Sequence, residues 1–161
     1  MKHIDKLKQM SACKDAIAWA GKYHSLQECW EKCERGDWLL WFAGKIGIDR
    51  KILVLAACDC AERSLKHVKK GDDRPKIAIE TARKRAGGES VTIEDVRHAA
   101  HAAHAPAYAA YAAAYAAAHA AHAVYAAHAA YAAAHADELK WSANKVRERI
   151  SWTMILERME A

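Results

Sequence analysis

Between His98 and Ala136 the chain reads HAAHAAHAPAYAAYAAAYAAAHAAHAVYAAHAAYAAAHA, without one Lys, Arg, Asp, Glu or Gly. Alanine is the strongest intrinsic helix former, so this stretch commits the chain to helix. A helix from Pro106 to Ala136 would be roughly 46 Å long at the usual rise per residue. A compact domain of 161 residues is only about 40 Å across. The helix must therefore cross the whole domain or break near its middle. Pro106 kinks or breaks the path at its start, because a proline ring clashes with the preceding turn.

The large residues of the tract follow one another at steps of three and four. From His119 to Tyr131 the steps are all threes, and each loses about 60° against a helix that advances ~100° per residue. The stripe of imidazoles and phenols therefore winds around the helix. That suits a central helix touched by different neighbours along its length, with Tyr and His offering an apolar body and a polar tip.

Three sharper roles fit less well. A metal site on one helix uses histidines four apart, and none of the seven in the tract are so spaced. Alanine is barely hydrophobic and buried imidazoles are costly in lipid, which argues against a membrane span. An ice-binding face needs a regular flat repeat, which the spiral denies. Titration of the imidazoles near their ordinary range predicts a loss of stability below about pH 6.

The rest of the chain is punctuated for helices. Gly21 ends a first helix over residues 11–20, and Ser25 caps a second that runs to Arg35. Gly36 stops that helix, and Asp37 caps a third, which carries Trp38, Leu39, Leu40, Trp41 and Phe42. Asp49 opens a long helix through ILVLAACDCAERSLKHV to Gly71. The stretch DDRP opens another, ending at Gly87 and Gly88, and Thr92 with Asp95 forms a capping box. After Asp137 the chain turns amphipathic again, through WSANKVRERI and SWTMILERM. Alternating beta-branched runs are absent. The expectation is an all-α, single-domain multi-helix bundle over residues 1–161, with the Ala/Tyr/His-rich helix at its centre.

Five cysteines, an odd number set inside helical patterns, read as reduced thiols of a cytoplasmic protein. The opening MKHIDKLKQM is charged and lacks the apolar run of a secretory signal. Cys29 and Cys33 share a helix face, but a zinc site would need unusual spacings to His24 or His67, so neither metal nor cofactor is expected. A formal net charge of +5 favours anionic partners, yet lacks the dense basic tracts of a nucleic-acid binder. No catalytic signature occurs, neither GxSxG, HExxH, a phosphate-binding loop nor a dinucleotide fingerprint.

CERGDWLLWFAG, Cys33 to Gly44, is the stretch most like a site. Arg35, Arg50 and Arg74 stand beside helix starts, where backbone N–H groups favour anions, and Trp38 and Trp41 supply stacking surface. One expectation is a pocket in which these arginines hold a phosphate and a tryptophan holds a ring, with Tyr108 and Tyr111 contributing from the tract. The alternative is packing: Asp37 caps, Arg35 pairs with a carboxylate such as Glu80, and both tryptophans are core.

The succession CKDAIAWA, CERGDWLLWFAG, DRKILVLAACDCAERSL, DDRPKIAIETA, the alanine tract and NKVRERISWTMI resembles the bacterial immunity-protein family linked to polymorphic toxin systems. The resemblance extends over nearly the whole chain and is most specific at RGDW-x-LW and DRP-x-x-AIE. It implies a small non-catalytic protein that neutralises a toxin or effector protein by binding it, and it transfers no catalytic residues. The basic charge is a departure, since inhibitors of basic toxins are commonly acidic. That leaves a second expectation open, sequestration of an anionic, nucleotide-like small molecule in a helical pocket. Nucleic acid is the weakest partner, and a homo-oligomer remains compatible with an Ala-rich helix that can pack against its own copy.

Overall fold

A computed structural model describes residues 2–68, 70–99 and 124–161. Every regular element among them is helical, as the sequence leads one to expect. The helices are α1 (Lys2–Gln9), α2 (Lys14–Ala20), α3 (Leu26–Lys32), α4 (Gly36–Lys45), α5 (Arg50–Glu62), α6 (Arg74–Gly87), α7 (Val124–Arg149) and α8 (Trp152–Glu160). A 3₁₀ turn over Arg63–His67 follows α5, and residues 93–99 are helical. Pro106, Tyr108, Tyr111 and most of the alanine tract lie outside the described residues.

Contacts divide the chain into two compact units, Met1–Leu53 with Leu139–Ala161, and Val54–Glu138. Helices α5 and α7 contribute residues to both.

Ala143 and Val146 near the end of α7 and Ile150 just beyond it follow at steps of three and four, the spacing of one helix face, and all three are fully buried. Gly36 shows how closely α4 meets that face: a β-carbon there would lie 2.7 Å from Ser142 Cβ, 2.8 Å from Ser142 C and 2.9 Å from Ala143 N. The Arg147 guanidinium reaches from α7 to the end of α3, where Nη1 donates to the carbonyls of Trp30 at 3.0 Å and Cys33 at 2.7 Å. Those carbonyls have no partner within their own helix end, so this arginine caps α3 from a distance. Ser151 then caps α8 by accepting from the Met154 N–H, and Ile155 is buried completely. Gly47 takes the left-handed conformation after α4 (φ +82) and its carbonyl accepts from Arg158 Nε at 2.7 Å.

The second unit buries Ala56, Cys58, Ile79 and Ala86. Arg83 ties α6 to α5 by donating to Asp59 at 3.0 Å and Glu62 at 2.7 Å. Glu138 at the middle of α7 accepts from Lys66 Nζ at 2.7 Å and forms an ion pair with Arg63. Gly88 adopts the left-handed conformation that ends α6, and Thr92 and Asp95 exchange both bonds of the expected capping box.

Several boundaries differ from the sequence expectation. Helix α1 precedes the expected first helix. Gly36 opens α4 where a stop was expected, because α3 has already ended at Lys32 and the chain turns through Cys33 and Arg35. Asp37 sits in the first turn of α4, after the capping position held by Arg35. Helix α5 gives way to the 3₁₀ turn at Arg63, well before Gly71. Helix α7 does not stop at Ala136. It runs through Asp137 to Arg149, since no helix breaker intervenes.

Candidate binding surfaces

The RGDW segment is built around an ion pair. Arg35, extended before α4, donates from Nε to Asp37 Oδ1 at 2.9 Å and from Nη2 to Oδ2 at 2.6 Å. The guanidinium therefore meets Asp37 and leaves Glu80, whose nearest cation is Lys76 at 3.8 Å. The bidentate bond holds the Asp37 carboxyl below its ordinary range and keeps Arg35 firmly charged. The same guanidinium lies over the Trp38 ring, 4.6 Å from its centroid. Trp38 meets Trp19 edge-on at 5.9 Å, Trp19 leans on Tyr23 at 4.7 Å, and Lys32 lies over Tyr23 at 5.6 Å. A ladder of three rings is thus closed by a cation at each end.

Beneath it lies an apolar hollow of about 60 Å³, bounded by Trp19, Trp30, Trp38, Trp41 and Leu26 among others. Sites for drug-sized or nucleotide-sized ligands are commonly ~300–1,000 Å³ and carry convergent polar groups. No arginine is among the described lining residues of this hollow. The start of α4 is occupied as well, with Gly36 buried against α7 and Asp37 in the first turn.

The remaining expected site residues have separate surroundings. Arg50 begins α5 and is exposed, beside Asp49, whose carboxylate accepts the Lys51 N–H at 2.8 Å. Arg74 begins α6 in the second unit and is paired with Asp72 through Nε and Nη2, both at 2.8 Å. Glu80 belongs to the same unit and is exposed. The structure brings Arg35, Asp37, Trp38 and Trp41 together, whereas Tyr108 and Tyr111 lie outside the described residues.

The cysteines are quiet. Cys29 and Cys33 are buried, and desolvation is the main cause pushing both thiols up, Cys29 to about 11. The Cys29 thiol donates to the Ala20 carbonyl at 3.8 Å. Among the described residues no three His, Cys, Asp or Glu side chains converge as metal ligands. No described helix is long and apolar enough to cross a membrane.

A second feature escaped the sequence reading. An open groove of about 620 Å³ runs beside α8, with Trp152, Leu156, Met159 and Leu26 supplying apolar side chains and His3, Lys6 and His24 supplying basic ones. Trp152, Leu156 and Met159 sit at i, i+4 and i+7 on one stripe of α8. The signal was present in SWTMILERM, whose apolar face is wider than one buried isoleucine needs. It required knowing which part of that face the core covers.

Residues 47–153, about two-thirds of the chain, match the model of a family described as "Imm-5 like putative immunity protein". The chain belongs to this immunity-protein family. The matched segment holds Arg50, Arg74, Glu80, the alanine tract and Arg147, and it begins after RGDW, so it is shorter than the resemblance suggested. Of the groove beside α8, the residues from α1 and α3 precede it, Trp152 falls inside, and Leu156 and Met159 follow it. No curated protein and no solved structure matches this family member significantly.

Proposed function

We propose that this immunity-family protein neutralises a protein toxin by binding it stoichiometrically, without catalysing a reaction and without a cofactor. The observation that carries this reading is the family match over residues 47–153. The surface supports it. The apolar hollow beneath the aromatic ladder would admit one side chain rather than a whole small molecule. Broad exposed features, by contrast, offer area for a macromolecular partner. The Arg35–Asp37 pair and the aromatic ladder then act as scaffold, fixing α4 against its neighbours.

The test is co-expression in a bacterial host with candidate toxin domains of polymorphic toxin systems, to find one that this chain counters. Growth should be restored when the chain is present, and a complex of fixed stoichiometry should elute on gel filtration. Growth arrest that persists while the chain accumulates folded would contradict the proposal.

A further inference from the structure

We infer that the groove between α1, the start of α3 and α8 is the docking surface for an acidic, amphipathic segment of the partner protein. This inference rests on the toxin-binding reading above and names the surface that would carry it.

Helix α8 has a broader apolar face than its own unit covers. Ile155 is buried completely, while Leu156, one residue on and turned about 100° around the helix, is 40% exposed. Leu156 and Ile77 are the large apolar side chains exposed to that degree among the described residues, and Ile77 belongs to the second unit. Leu156 instead continues a stripe, with Trp152 on one side and Met159 on the other. Leu26 from the first turn of α3 extends the apolar surface off the helix. The result is a trough, not an isolated exposed leucine, and troughs of this kind receive the apolar face of a helix read at i, i+4 and i+7.

The charge around it selects the partner. His3, Lys6 and His24 line the groove, Lys6 being the formally charged one of the three at pH 7, and no carboxylate is among the described lining residues. Glu28, the acid nearest in sequence to His24, is turned to other work: its carboxylate accepts from the His24 backbone N–H at 2.9 Å and from Lys32 Nζ at 3.0 Å. His3 is held at the edge by a 3.3 Å contact between Nε2 and the Ala20 carbonyl. A segment pairing apolar anchors with flanking Asp or Glu meets both halves of this surface, and a basic segment of the same shape meets only one. Opposite charge also steers encounter from solution.

The test uses two synthetic helical peptides of about sixteen residues on the full-length protein, a length of roughly 24 Å when helical. Both carry leucine at i, i+4, i+7 and i+11; one has glutamate and the other lysine at the flanking positions. The acidic peptide should perturb amide resonances of Leu26, Trp152, Leu156 and Met159, and binding should weaken at least tenfold in Leu156→Asp and in Lys6→Glu. The exposed control Ile77→Asp should bind as the wild type does. Equal affinity for both peptides, or perturbation away from the groove, overturns the inference.

The same variants in the growth assay separate the two claims. If wild-type chain protects and Leu156→Asp protects equally, the groove is wrong and toxin neutralisation stands. If the wild-type chain fails to protect, the toxin-binding reading itself fails. Circular dichroism melts of Leu156→Asp should match the wild type, since the side chain is already exposed.

Discussion

Replacing Gly36 with alanine should destabilise the first unit, although the same change in an open helix would help. Gly36 is helical and its backbone does not lie in the left-handed region, so alanine can adopt its conformation. On chain entropy and helix propensity alone the substitution would stabilise by about 0.4–1 kcal/mol. The new methyl, however, would stand 2.7–2.9 Å from Ser142 and Ala143, and two of the three atoms it meets are backbone. Carbon atoms settle about 3.5–4.0 Å apart, so α4 and α7 would have to separate by nearly 1 Å. That movement loosens Ala143 and Val146, both fully buried, and strains the bonds from Arg147 to the end of α3. Overpacking of this kind costs about 1–3 kcal/mol and outweighs the propensity gain.

With a urea m-value near 2 kcal/mol/M, a loss of about 1–3 kcal/mol lowers the midpoint by about 0.5–1.5 M. All six tryptophans lie in the first unit, so their fluorescence reports that unit directly. Gly87→Ala is the control. Nothing lies within 4 Å of a β-carbon there, and far-UV dichroism should show no loss of stability. A Gly36→Ala protein as stable as the wild type, or more so, would refute the close approach of α4 to α7.

Arg147→Met should cost about 2 kcal/mol by stranding the Trp30 and Cys33 carbonyls, with Arg147→Lys intermediate because one ammonium cannot replace the fork; urea unfolding measures both. On the acid side, Asp37 and Glu138 are held below their ordinary values of 3.8 and 4.5 by their arginine and lysine partners, so their stabilisation is full above those values and fades as pH falls through the lower folded ones. On the alkaline side Cys29 is pushed up from 9.0 to about 11, so its contribution is full below pH 9 and is lost as pH climbs through that window. Melting temperatures across pH 2–11 should show both limbs. In native protein, iodoacetamide should modify exposed Cys13 well before Cys29 or Cys33, as peptide mapping will show.

Much of the helical plan was visible in local chemistry. Ser25 caps α3, Thr92 and Asp95 form their box, and Gly88 ends α6 in the left-handed conformation, because each depends on atoms only a few residues apart. Helix α1 was hidden by its lysines: Ile4 and Leu7 provide its apolar side, and Leu7 is buried, yet charge dominates the segment. The role of Asp37 was misplaced because its carboxylate is taken by Arg35, which competes with capping. Arg147 looked like one member of a basic cluster, since its acceptors lie more than a hundred residues away in sequence. The groove had the same fate. Leu156 and Ile155 are adjacent and both apolar, and only packing decides that one is core and the other surface.

The central claim is neutralisation by binding, and titration of toxin activity against this chain tests it most directly. With toxin held well above the dissociation constant, residual activity should fall linearly to an end point at a fixed molar ratio, with no added metal or cofactor. An end point far below one chain per toxin, deepening with time, would mean turnover, and undiminished toxin activity at excess chain would mean no neutralisation. Either result contradicts the account.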